Sequence, residues 1–529
     1  MISYHDKAEN LRIHILIFLL LLKVIGISQP LTPKQQYGNL FIAVQTLPVF
    51  NDQKTFVDCT AKENPDLIVE EYEREKLAPG FDLKKFVSAH FYTQPDTNVK
   101  HQSVCIINIK CYINTSWPSL TQKADKPGRW TSLLPLPKPY VIPGSRFREA
   151  YYWDSYFIEL GLAESRDTLL VQDMVENFAA LIDKYGFVPN ANRSYYLTRS
   201  QPPFFSLMVQ LLAGLKGDTI YKLLLPELKA EYTYWMRGYD TLEPGKATKN
   251  VVNFNGALLN RYWDDSDEPR EESFTDDVAT ASATTQKPRQ AYREIRAAAE
   301  SGWDFSSRWF ADGKNISTIH TTQVLPVDLN CLLYNLEKTI ALAYDVDGDT
   351  TLRNDFEQKA AKRKAAIAQV FWSSDSGYFC DYLLHKKCLS TNISLAGLFP
   401  LFFQIASPGQ AVSVMEVIKT KFEKSGGLVT TLSNTGQQWD SPNGWAPLEY
   451  IGITGLANYG YKDLAREIAT RWFNLNLRVF KNTGKLFEKY DVENPAQPGV
   501  GGEYNVQIGF GWTNGVLLKL MKDYNLSDE

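Results

Sequence analysis

The sequence predicts a mainly helical protein. Apolar residues recur at helical spacing through many long stretches, strand-like alternation over more than four residues is scarce, and the segments between the helical stretches are long and rich in Trp-Asp pairs, Gly and Pro. Long connections in a compact domain usually carry function, so the chemistry is expected there.

In chain order, the first element is a leader. Lys7 and Arg12 precede the apolar run "IHILIFLLLL", which ends at Lys23 and is followed by the small residues Gly26 and Ser28. A basic region, a short apolar region and small residues describe a secretory signal over 1–28, too short to span a bilayer comfortably. An uncleaved anchor is the alternative. The mature chain is expected to be secreted or extracellular, or periplasmic or lumenal where the source cell requires it, with no later membrane span.

Residues 29–145 are rich in Pro and polar residues with few long periodic runs, which suggests an N-terminal segment wrapped on a larger unit at 146–529. Within that unit, "DTLLVQDMVENFAALIDKYGF" places Leu170, Met174, Phe178, Leu181 and Tyr185 on one face. Asp167 stands at its start and Gly186 at its end. "PPFFSLMVQLLAGLKG", "YKLLLPELKAEYTYWMRGY", "VDLNCLLYNLEKTIALAYDV", "LRNDFEQKAAKRKAAIAQVFW", "AGLFPLFFQIA", "APLEYIGITGLANYG" and "KDLAREIATRWFNLNLRVF" read as further helices.

Trp followed by Asp occurs at Asp154, Asp264, Asp304 and Asp440, where 12 Trp in 529 residues would give roughly one such pair by chance. The spacing is irregular and the surroundings helical, which excludes a WD-repeat propeller with its regular period and four strands per repeat. The net charge of −4 excludes a nucleic-acid footprint, and a monomer is expected. Five sequons stand at Asn114, Asn192, Asn315, Asn392 and Asn525, acceptors if the source cell attaches glycans. Of the six cysteines, Cys105 with Cys111 and Cys380 with Cys388 are close enough for local bridges. Their spacings and the lack of nearby His pairs argue against a metal, and neither a metal nor a cofactor is expected.

Arginine forks and carboxylates gather beside Trp in several loops: Arg146, Arg148, Glu149, Trp153 and Asp154; Asn190, Arg193, Arg199 and Gln201; Arg270 and Glu272; Glu300, Trp303, Asp304 and Arg308; Gln438, Trp439, Asp440 and Trp445; Glu488, Asp491 and Glu503. Paired donors and acceptors suit adjacent hydroxyls, and an indole covers an apolar C–H face, so this mixture fits a neutral polyol. A buried, salt-bridged loop explains the first of these, Arg146 to Asp154, equally well when taken alone. Glycoside hydrolysis needs two carboxyl groups across the scissile bond, and spacing does not say which two these are. No GxSxG, HExxH or Walker motif offers another chemistry, and six His leave acyl transfer and metal hydrolysis short of players.

"IPGSRFREAYYWDSYF", "PNANRSYYLTRSQPPF", "ESGWDFSSRW", "QQWDSPNGWAP", "FEKYDV" and "GGEYNVQIGFGWTNG" resemble the signatures of the trehalases, inverting glycoside hydrolases that split α,α-trehalose into two glucose molecules. The resemblance runs from about residue 55 to 520. It implies an all-α (α/α)6 barrel, a toroid with long active-site loops, with Asp304 as general acid and Glu488 as general base. Arg146, Trp153, Asp154, Asn190, Arg199, Gln201, Arg270, Glu272, Gly302, Trp439 and Glu503 would hold the sugar rings. Asp304 then needs apolar or anionic surroundings to keep its proton, and Trp303, Phe305 and the nearby carboxylates are candidates to supply them; an inward Lys489 would favour an ionised Glu488. Two positions depart from the family pattern: Ser145 replaces a Gly and Val500 interrupts a Gly run. A catalytically silent sugar binder, or an α/α-barrel glucosidase acting on another α-glucoside, are the alternatives.

The sequon at Asn192 lies inside a pocket loop and is expected to stay unglycosylated. Mass spectrometry of the native protein checks this, and a glycan at Asn192 would place that loop elsewhere.

Overall fold

The computed structural model describes residues 30–93 and 105–527, so the leader expected at 1–28 lies outside the described residues. Helices dominate. Sheets among the described residues have no more than three short strands, the longest pairing Val251–Phe254 with Ala257–Asn260. None of the described helices is long and apolar enough to cross a membrane.

Six segments form an inner ring: Tyr152–Glu164 (α1), Phe205–Lys216 (α2), Val327–Asp347 (α3), Leu395–Phe402, Ala446–Asn458 (α4) and Gly511–Tyr524 (α5). Each packs on the next and the last packs on the first. The fourth is a 3-10 turn running into one short helical turn. The α1 sequence "YWDSYFIELGLAE" has no polar face because the helix is covered on all sides: every residue from Tyr152 to Leu162 is buried. The helix after α1, Thr168–Tyr185, packs on it and is amphipathic. It buries Leu170, Met174, Phe178 and Leu181 while its other face stays wet. Its ends carry the expected stops: the Asp167 carboxylate accepts from the Leu170 amide, and Gly186 closes the helix in the left-handed conformation.

The outer partner of α5 comes from an unexpected place. Ile109–Leu120, in the segment read as a wrapper, packs on α5, and Ile109, Tyr112, Ile113, Trp117 and Leu120 belong to the barrel's own core. This part of 29–145 therefore shares the core of the unit at 146–529. A second, smaller core joins Tyr37, Phe41, Phe56, Ile68, Phe86 and Phe91 to Tyr151, Ala191, Tyr195 and Tyr196 of the barrel loops. The helices of this region are short, and their start signals are side-chain caps from Thr32, Asn64, Asp82 and Asn108 rather than long apolar periods.

Cys105 and Cys111 form a disulfide at the start of Ile109–Leu120. Cys380 and Cys388 do not. The strand register sets Cys388 opposite Leu383, leaving Cys388 exposed while Cys380 is buried beyond the ladder, near Ser376 and the Tyr378 carbonyl.

Ring closure requires near contact of two backbones. A Cβ on Gly161 of α1 would lie 2.4 Å from the Gly515 Cα, and a Cβ on Gly515 of α5 would lie 1.9 Å from the Phe157 carbonyl oxygen. No side chain fits at either position. Gly515→Ala should force α1 and α5 apart at a cost of roughly 1–3 kcal/mol or more, lowering Tm by several degrees in calorimetry. Gly214→Ala in α2, with open space around the new methyl, should leave Tm unchanged or raise it.

Candidate active site

The loops at one end of the ring enclose a cavity of about 710 Å³, counting its open mouth. Arg146, Trp153, Asp154, Asn190, Arg199, Gln201, Arg270, Glu272, Gly302, Asp304, Trp439, Glu488 and Glu503 all line it. Sequence reasoning missed Lys54, Ser273 and Tyr504. Lys54 arrives from the N-terminal segment, and no motif surrounds it.

One wall begins where the 143–149 loop enters α1. Trp153 and Asp154 occupy the first helical turn, with the Trp153 amide donating to the Gln201 side-chain oxygen Oε1 at 3.2 Å. Burial pushes the Asp154 carboxyl well above its ordinary range, and nearby Glu488 and Asp304 push the same way. Gly302 faces this indole with φ +74, and a Cβ there would stand 3.0 Å from the Trp153 ring.

The arginines are fixed by carboxylates before any ligand arrives. Arg199 donates to Asn190 at 2.9 Å and to Glu272 at 2.7 Å, and lies over the Tyr196 ring. Arg270 grips Asp277 through two nitrogens, reaches Glu503 at 3.0 Å, and stands 3.8 Å from the Asp304 carboxylate. Salt bridging of this kind keeps several charges in a partly dry site without free counter-ions.

Asp304 follows Gly302 on the loop after the helix Pro288–Glu300. Burial raises its carboxyl to about 6, Arg270 and Arg199 oppose, and Glu272 adds a smaller push upward. The expected anionic surroundings are therefore a minor contributor. Trp303 is not on the cavity wall: it stacks behind on Trp439, whose other face lies 3.9 Å from Trp445 in parallel. The Asp304 loop is held from beneath. Gln438 donates to the Asp304 carbonyl at 2.7 Å, and the Asp440 carboxylate accepts from the Ser307 amide and from the Ser306, Ser307 and Thr431 hydroxyls.

Glu488 precedes the short strand Lys489–Asp491. Its amide donates to the Gln507 carbonyl, its carbonyl accepts from the Trp512 indole, and one carboxylate oxygen accepts from the Tyr504 hydroxyl at 2.8 Å. The other oxygen, Oε2, is buried without a partner. Burial pushes the carboxyl up, while Lys489, Tyr504 and Arg146 pull it down. Lys489 is inward as expected, lowered to about 8 by burial, and its ammonium donates to Gln438 and the Gly501 carbonyl.

Other residues of the same motifs serve the scaffold. Glu149 and Arg193 pair in a buried cluster with Lys54 and Asp58; Arg308 joins Asp328 to Asp381 between Trp303 and Trp309. Glu300 accepts from the Ser200 and Trp263 amides, Asp264 pairs with Arg296 and Arg199, and Asp491 closes a turn. Asn192 is buried beneath the wall, bonded to the Ala150 amide and the Leu134 carbonyl. Ser145 has φ +51, the left-handed conformation that favours Gly, and its hydroxyl donates to the Ile508 carbonyl and accepts from the Ile508 amide. Val500 has no such requirement: Asn443 holds its amide and its carbonyl. Among the described residues, Glu63, Glu71 and His90 form the group of potential metal ligands, and none of them lines the cavity.

The Trehalase family model matches residues 48–525. The periplasmic trehalase of Xanthomonas axonopodis pv. citri is 48% identical over 499 residues, covering 94% of this chain and 87% of that protein. That of Escherichia coli O45:K1 is 46% identical over 494 residues, covering 93% and 87%. Among solved structures, the neutral trehalase of Saccharomyces cerevisiae aligns with a TM-score of 0.60 at 26% identity, over 78% of this chain and 79% of that one.

Asp304 holds its proton more tightly in the folded chain than in the unfolded one, where its value is near 3.8. Its contribution to stability is therefore full below about pH 4 and lost as pH rises through about 6. Asp304→Asn, which cannot ionise, should melt above the wild type at pH 7.5, with the difference fading as pH falls toward 4 in thermal scans.

Proposed function

The chain belongs to the trehalase family, and from that premise we propose that it hydrolyses α,α-trehalose to two glucose molecules with inversion, Asp304 acting as general acid and Glu488 as general base. The supporting observation is the contrast between two carboxyl groups in one cavity. Asp304 is raised to about 6, with Arg270 at 3.8 Å placed to stabilise its product anion, whereas Glu488, also raised by burial, is pulled back by Lys489, Tyr504 and Arg146 and has one oxygen held by Tyr504 and one without a partner.

In the proposed cycle, Asp304 gives its proton to the bridging oxygen as the anomeric C–O bond breaks. A water on the opposite face supplies hydroxide to the anomeric carbon, and its proton passes to Glu488 Oε2. One glucose leaves with the α configuration and the other with β, and exchange with solvent restores both carboxyl groups. Arg270, at 3.8 Å, stabilises the Asp304 anion once its proton has gone. Arg146, Asp154, Asn190, Arg199, Gln201, Glu272 and Glu503 supply the donors and acceptors for the two sugars. Trp153 supplies an apolar face that Gly302 leaves free of a Cβ, and Trp439, stacked between Trp303 and Trp445, meets the cavity at its rim.

We propose further that the protein is exported through the leader at 1–28 and acts outside the cytoplasm as a monomer. The N-terminal segment, which supplies Lys54, is then part of the catalytic unit rather than a separable domain.

Purified wild-type protein should release glucose from trehalose, with equal α- and β-glucose in fresh product by NMR. Asp304→Ala and Glu488→Ala should each lose roughly 10²- to 10⁴-fold or more while still folding. Release from maltose or kojibiose in preference to trehalose would favour a different glucosidase. Trehalose binding without release from any substrate would favour a silent binder.

A further inference from the structure

Glu488 is the one member of the proposed acid–base pair whose side chain is held by a segment that also closes the cavity mouth. Residues 499–507 line an outer vestibule together with Asn51, Asp52, Gln53, Ser273 and Asp276, and Tyr504 of this segment also lines the inner cavity. We propose that Tyr504 is a positioning residue for the general base: by donating to Oε1 it turns Oε2 toward the attacking water, and it makes the readiness of Glu488 depend on the Gly-rich segment being seated. The proposal rests on Glu488 being the base.

Three observations carry it. The Tyr504–Glu488 hydrogen bond is 2.8 Å, and Oε2 is buried with no partner, so the two oxygens are already unequal. The Tyr504 ring is fixed, edge-on to Phe147 at 5.3 Å with the Arg146 guanidinium 4.9 Å from its centre, so the hydroxyl has one direction to point. The segment is seated by contacts along its length, with Arg270 reaching Glu503 and the Glu488 amide donating to the Gln507 carbonyl. The Gly501 carbonyl accepts from Lys489, Asn443 holds Val500, and Gly501 and Gly502, at φ +75 and +98, press on Gly436 and Gln438 so closely that a Cβ would lie 2.5 and 2.6 Å from their oxygens.

The charged and titratable groups facing Glu488 are Lys489 on its own strand, Arg146 from the loop before α1, Asp154 from α1, and Tyr504. Asp304 faces the same Lys489 and Tyr504 from the opposite loop. Tyr504 is a donor throughout the working range, since burial and Glu488 hold its phenol well above the ordinary value. A donor to a carboxylate favours the ionised form. Losing it should leave Glu488 protonated to higher pH, and a protonated base cannot accept from water.

The test is the pH profile of kcat/KM for trehalose. Tyr504→Phe keeps the ring and removes the donor. The expected result is a fall of roughly tenfold or more, an acidic limb moved up by about one pH unit, a basic limb in place, and a KM within about twofold of wild type. Installing 3-fluorotyrosine at 504, a stronger donor of nearly the same shape, should move the acidic limb down, and it serves as the test if the Phe variant melts early. An acidic limb unmoved by either replacement overturns the proposal, whatever the rate, since a structural role lowers rate without moving the limb. Glu488→Gln with wild-type rate and limb would instead overturn the assignment of the base.

Discussion

A carboxyl group that must hold a proton beside two arginines depends on burial to outweigh them, and that balance at Asp304 constrains most of its surroundings. In the proposed cycle Arg270 stabilises the anion left when the proton has gone, and its pull is spread over Asp277 and Glu503. Water has to be kept out without a rigid cover over the sugar. The Trp303, Trp439 and Trp445 stack supplies that dryness from behind, leaving the front of the cavity for polar groups. The Asp304 backbone is pinned from the far side by Gln438, whose amide oxygen also takes the Lys489 ammonium beside Glu488. One neutral side chain thus spans the loops of both carboxyl groups without adding charge.

The ring beneath serves this arrangement by geometry rather than chemistry. Loops from different helices converge only because inner helices with no polar face can be packed against one another, and at one seam, Gly161 against Gly515, they are packed to backbone contact. Polar work done at the loops is matched by apolar work in the helices. Paired buried charges such as Glu149 with Arg193 and Arg308 with Asp328 stand at the boundary between the two.

The helices were legible where one face was dry and the other wet, as in Thr168–Tyr185 with Asp167 and Gly186 at its ends. The clustering of Trp with Asp marked the loops that matter, because an indole beside a carboxylate is uncommon by chance. Which carboxylate does what was not legible from spacing: Asp154, Asp264, Asp304 and Asp440 share a local pattern, and their differing burial and partners are set by residues far along the chain. Lys54 escaped for the same reason, since nothing beside it in sequence marks its role, whereas Tyr504 stands inside the motif "GGEYNVQIGFGWTNG", whose spacing does not say which side chain reaches Glu488. The pairing of Cys380 with Cys388 was suggested by proximity along the chain, whereas strand register governs distance in space. Ser145 shows a different limit: its hydroxyl bonds with Ile508 offset a left-handed backbone, and those bonds span 363 residues.

The seam between the two ends of the chain also orders how the molecule comes into being. The final helix, Gly511–Tyr524, is the neighbour of the first inner helix and of the outer helix Ile109–Leu120. Until that last stretch leaves the ribosome, the earliest barrel helices have an exposed flank and the toroid stays an open arc. Local helices can form early, but cooperative closure waits for contacts of long sequence separation, which are slow to form. A nascent chain of this topology stays an open arc until Gly511–Tyr524 is available to close it.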